Sequence, residues 1–212
     1  MELLAIRRAA VLFFLRFELM NPARRAVHLS PMMVERYHFL KFPKTFEDHA
    51  SNSEMGIAFE AGEWDGVAVD EIRFFNNGIL VATGKSTEHA EALFADMTKW
   101  LVEDVGLIFE TQMVANTNYV SQLAVRSKVA LDSLLNPAVI DVAARFVEVP
   151  VGVTTLGLFT GGNVEATPIR IERLATPGGL PPSQPNEFWT QTPFSTSRHM
   201  EFLTALESAL TG

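Results

Sequence analysis

Residues 64–106 read WDGVAVDEIRFFNNGILVATGKSTEHAEALFADMTKWLVEDVG. Two turn signals, Asp65-Gly66 and Asn76-Asn77-Gly78, bracket Val67–Phe75, a run rich in Val, Ile and Phe. The second turn leads into Ile79–Thr83. An Asn-Gly pair supplies the positive φ angles of a tight hairpin, so two antiparallel strands are predicted here, with Gly78 at positive φ. A helix over about Thr87–Asp104 follows. Ser86 or Thr87 caps it, Glu88 and Glu91 suit the positive end of its dipole, and Gly106 ends it. Ala90, Leu93, Phe94, Met97, Leu101 and Val105 form one apolar stripe at spacings of three and four.

The same strand-strand-helix order is read downstream. Leu107–Val114 and Tyr119–Val125 read as strands around Asn116-Thr117-Asn118, before a helix with Asn136 as cap and Pro137 at its first position. Val151–Thr160 and Ile169–Leu174 then lead through the Pro/Gly-rich segment Ala175–Glu187 to a helix over Ser197–Leu210. Upstream, Tyr37–Phe42 and Gly56–Glu60 read as strands. The expected class is α+β: an antiparallel sheet of successive β-β-α units with helices mainly on one face. Repeated hairpins argue against a doubly wound parallel sheet. Ser86-Thr87-Glu88-His89 and Ser195-Thr196-Ser197-Arg198-His199 match with a one-residue shift, as either duplication or shared capping chemistry would give.

An apolar arm precedes this body, and the expected division is an arm over 1–33 and one α+β domain over 34–212. The arm's run Ala9–Leu15 is too short to span a membrane, and Arg16 and Glu18 close it. They also stand where a signal peptide would need a neutral cleavage region, so secretion is not expected. Leu, Ala and Arg favour a helix over 2–19, while the alternation Val11, Phe13, Leu15, Phe17, Leu19 favours a strand. Charged residues scatter around the helical wheel, which disfavours membrane association.

The chain has 212 residues, no Cys and a net charge of −8. Without Cys there is no disulfide framework, thiol nucleophile or thiolate metal site, and a cytoplasmic location is expected. The acidic balance argues against nucleic-acid binding. It is uneven: residues 1–44 carry +5 and residues 45–110 carry −11. The basic arm is therefore expected to lie near the acidic middle.

No complete catalytic constellation is present. Gly84-Lys85-Ser86-Thr87 copies the tail of a phosphate-binding loop, but position 79 is Ile where that loop needs Gly, and 79–83 reads as a strand. The five His form no helical zinc pair, and Glu47-Asp48-His49 with Glu54 reads as a solvated loop. Glu60, Glu63, Asp65, Asp70 and Glu71 lack the order of a calcium loop. No metal and no cofactor is expected.

The leading expectation is a non-enzymatic binding or assembly protein acting through protein–protein contacts, self-association included. Its interaction arm comprises Val11, Phe13, Phe14, Phe17, Arg24 and Arg25. The alternative is a small-molecule binder or enzyme with a pocket between the sheet and the 175–190 loop, using His89, His199, Glu187 and Trp189.

Overall fold

Asp65 and Gly66 both take positive φ, 52° and 68°, and join Trp64 to Val67 across a two-residue turn. This is the hairpin whose geometry demands left-handed residues. The next turn differs from expectation. Its loop is Asn76-Asn77, and Gly78 is the first strand residue, paired with Phe75 and outside the positive-φ region. Gly78 answers instead to crowding: a β-carbon there would stand 3.0 Å from the Phe13 carbonyl oxygen.

The computed structural model describes residues 1–16, 22–45, 48, 56–130, 133, 136–147, 153–158, 168–174 and 186–211, without the side chains of 22–27, 143 and 146–147. In chain order come β1 (Glu2–Leu15), α1 (Pro22–Tyr37), β2 (Ile57–Trp64), β3 (Val67–Phe75), β4 (Gly78–Thr83) and α2 (Thr87–Glu103). After a 3-10 turn (Thr111–Met113) follow β5 (Val114–Arg126), α3 (Pro137–Val147), β6 (Thr155–Leu158), β7 (Ile169–Arg173), β8 (Glu187–Thr192) and α4 (Thr196–Thr211). The strands form one antiparallel sheet in the order β2-β3-β4-β1-β5-β8-β7-β6. The protein is α+β, but the described elements do not follow the β-β-α pattern. The 3-10 turn aside, β-α-β-β-β-α occurs twice.

Several local expectations change with it. Residues Glu2–Leu15 form a strand rather than a helix, because alternation places Val11, Phe13 and Leu15 on one buried face. Burying three such side chains is worth roughly 1.5–3 kcal/mol each, which outweighs the small helix preference of Leu and Ala. Tyr37 ends α1, and His38 turns the chain at φ 54°, so 37–42 is no strand beyond a bridge from Lys41 to Glu60. Asn116-Thr117-Asn118 is not a turn but lies inside β5, and Leu107–Glu110 is irregular.

The chain divides into two compact units, Arg8–Val120 and Met1–Arg7 with Ser121–Gly212. In the first, α1 and α2 cover one sheet face. Phe13 of β1 stacks on Phe94 of α2 at 3.7 Å, and Tyr37 of α1 meets Trp100 edge-on at 6.1 Å over Phe59, Ile72 and Val81. The opposite face carries Ala58, Arg73, Leu80 and Leu12 in register, all half-buried. In the second unit, Leu203 of α4 packs with Leu123, Val125, Ile171 and Phe188. No described helix is long and apolar enough to cross a membrane.

Candidate functional site

Buried Thr83 and Thr192 end β4 and β8, and a capping Ser follows each by three residues. Ser86 Oγ accepts from the His89 N–H at 3.1 Å, and Ser195 Oγ from the Arg198 N–H at 3.5 Å. The first main-chain helical bonds run from Ala90 to Ser86 and from His199 to Ser195. The two helix starts therefore align without a gap. Ala90, not His89, occupies the position of His199. Ser86 is thus a helix cap, with residues 78–83 in strand β4 ahead of it.

His199 is fully buried. Its Nδ1 is 2.9 Å from Ser121 Oγ, and its Nε2 has no partner among the described residues. Burial pushes its pKa down to about 4, so the ring is neutral at pH 7. The strand registers set Ser121 opposite Thr192 and Ala9 opposite Thr83. Ala9 and Ala90, both buried, thus occupy in one unit the positions of Ser121 and His199 in the other. A Ser–His contact of this length suits nucleophilic chemistry, but here both groups are buried and, among the described residues, no carboxylate orients the ring.

His89 belongs to the other compact unit. Its ring lies 5.0 Å from that of Trp64, and both nitrogens are buried without partners among the described residues. Burial and then Lys85 lower its pKa, against a smaller opposite pull from Asp65. Glu187 accepts from Arg126 at 2.7 Å, and Arg126 also reaches Glu2 at 3.2 Å. Trp189 is half-buried on β8, in register with Ala124 and Glu172. Residues 175–185 of the loop invoked for a pocket lie outside the described residues, as do Glu47, His49 and Glu54.

Of the interaction arm, Val11 and Phe13 are core residues of the unit Arg8–Val120, and Phe14 is half-buried. Phe17 and the side chains of Arg24 and Arg25 lie outside what is described. Within the acidic middle, Glu60 and Glu71 face each other across β2 and β3. Arg73 pairs with both, Lys41 reaches Glu60 at 3.7 Å and Arg8 reaches Glu71 at 3.8 Å. Glu207 also carries structure: Ser127 Oγ and the Lys128 N–H donate to it, at 2.9 and 2.7 Å. The Met1 amine joins them. Burial opposes ionisation of Glu207, but these donors hold its pKa down at about 2.

Sequence reasoning did not find an apolar groove beside α2. This groove of about 410 Å³ is lined by Val102, Phe109 and Val114, together with Lys99 and Glu103. Phe94 also lines it and meets the Phe109 ring edge-on at 5.8 Å. Ile108, immediately before Phe109, is 83% exposed. The signal for it is Ile108-Phe109 just past Gly106, apolar residues beyond the end of the helical stripe. No protein-family model matches the chain, and no curated protein matches it.

Proposed function

We propose that this chain is a non-catalytic binding protein that works through protein–protein contacts, self-association among them. The groove along α2 carries this reading. Val102, Phe109 and Val114 line it, Ile108 beside Phe109 in sequence is exposed, and such apolar surface is where a partner's side chains replace water. The buried histidines support it from the other side. An acid–base catalyst must come within hydrogen-bond reach of its substrate, and the nitrogens of His89 and His199 are enclosed. A net charge of −8 favours a protein over a nucleic acid as partner, and the Cys-free chain suits the cytoplasm.

Sedimentation velocity over a concentration series, run beside a turnover screen of hydrolase and transferase substrates, tests the proposal. We expect association, with itself or with an added protein, that Val102→Asp weakens without lowering the melting temperature. Specific turnover that disappears in His89→Gln or His199→Gln would replace binding with catalysis.

A further inference from the structure

We infer that a second copy of this chain docks on the open edge of β5, residues Val114–Val120, antiparallel to its counterpart about a two-fold axis near Thr117. This rests on the protein-binding reading above and names its partner. β8 pairs with β5 only from Ser121 to Arg126, and β5 has no other neighbour on that side in the sheet order. Among the described residues, then, no strand pairs with Val114–Val120 there. Ala115, Asn116 and Asn118 are exposed, while Tyr119 O–H donates to Glu91 of α2 at 2.7 Å and ties the strand to its unit. The edge is both open and held.

Open sheet edges template the addition of another strand, and proteins blunt them with charge, Pro or a bulge. β2, at one end of the sheet, is blunted in this way. It carries Glu60 and Glu63, takes φ 56° at Ala61, and is bridged by Lys41. The β5 edge has no such protection, since Thr111–Val125 contains no charged residue and no Pro. This is also why the occupant is a copy of the chain. Two molecules of net charge −8 repel, and an uncharged strand lets them approach without setting like charges opposite each other. Pairing about Thr117 places Asn116 opposite Asn118 and Ala115 opposite Tyr119. Val114 lines the groove along α2, so the apolar surface continues directly from the edge. A ladder this short buries less than the roughly 1,600 Å² of a standard interface, so the dimer is weak and exchanges rapidly.

Charge placed on the edge tests the pairing with the full chain. Asn116→Lys with Asn118→Lys sets lysines against each other in the dimer, and Asn116→Glu with Asn118→Glu does the same with carboxylates. Each variant alone should associate at least tenfold more weakly than the native chain by sedimentation equilibrium, with an unchanged melting temperature. Mixing the two should restore association, because a Lys then faces a Glu. Failure of the mixture to recover would overturn the inference, since the losses would then come from altered folding. The chain has no Cys, so Thr117→Cys alone should form an intermolecular disulfide under mild oxidation, and Ser208→Cys should not. A native chain that stays monomeric, with no disulfide at 117, also overturns it. Association that neither charge pair affects would remove the β5 edge while leaving the binding reading in place.

Discussion

Ala61 sits exposed on β2 at φ 56°, a conformation that costs an L-residue with a β-carbon roughly 1–2 kcal/mol. Ala61→Gly should therefore stabilise the protein, by up to about 1 kcal/mol once the greater freedom of Gly in the unfolded chain is subtracted. A thermal melt that moves down, or not at all, would show the conformation to be unstrained. Its neighbour behaves in the opposite sense. A β-carbon on Gly62 would lie 2.7 Å from both the Phe39 ring and the Tyr37 carbonyl oxygen. The ring can swing, but the carbonyl belongs to the end of α1. Gly62→Ala should cost about 1–3 kcal/mol, measured as a lower denaturant midpoint. Two adjacent positions thus respond to the same Ala/Gly exchange for unrelated reasons, one torsional and one steric.

At the scale of the element, α4 carries two groups whose ionisation differs between the folded and unfolded chain. His199 titrates near 6.5 when unfolded and at about 4 in the fold, so between these values the unfolded chain binds more protons. Stability therefore falls as pH falls from 6.5 to about 4. Glu207, moved from 4.5 to about 2, extends the loss in the same direction at lower pH. His199→Gln keeps a polar partner for Ser121 and removes the first titration, so its denaturant midpoint should be flatter between pH 6.5 and 4.5. An unchanged slope would mean that His199 protonates freely in the fold. The elements themselves differ in how far they could be read. Asp65-Gly66, Ser86 and Asn136-Pro137 act through residues next to one another, so hairpin and helix starts were legible. α1 was not, because Pro31 interrupts its pattern, and its identity depends on Met33 and Tyr37 reaching a sheet built from distant residues. The groove stayed hidden for a related reason: Val102, Phe109 and Val114 belong to three consecutive segments whose angles decide whether a cleft opens.

At the scale of the whole molecule, β1 serves both compact units, exposed over much of Glu2–Arg8 and buried at Ala9–Val11, Phe13 and Leu15. Val11, Phe13 and Leu15 lie in the core of the unit Arg8–Val120, and Met1 and Ile6 pack with Leu123 and Val125 in the other unit. Beginning the chain at Met33 removes this strand's part in both units, along with most of α1. The truncated protein should lose the cooperative melting transition of the full chain and collect in the insoluble fraction. A soluble product with native circular dichroism would show that β1 and the first part of α1 are dispensable. The position of β1 also sets a timetable. Its pairing partner β4 ends at Thr83, so the ribosome must add almost seventy further residues after Leu15 before the β1–β4 ladder is complete. At about 5–20 residues per second, Val11–Leu15 waits several seconds as an apolar, unpaired segment outside or within the exit tunnel. The segment whose Val11, Phe13 and Leu15 end up sealed in a core is, during synthesis, an apolar stretch that a chaperone would shield.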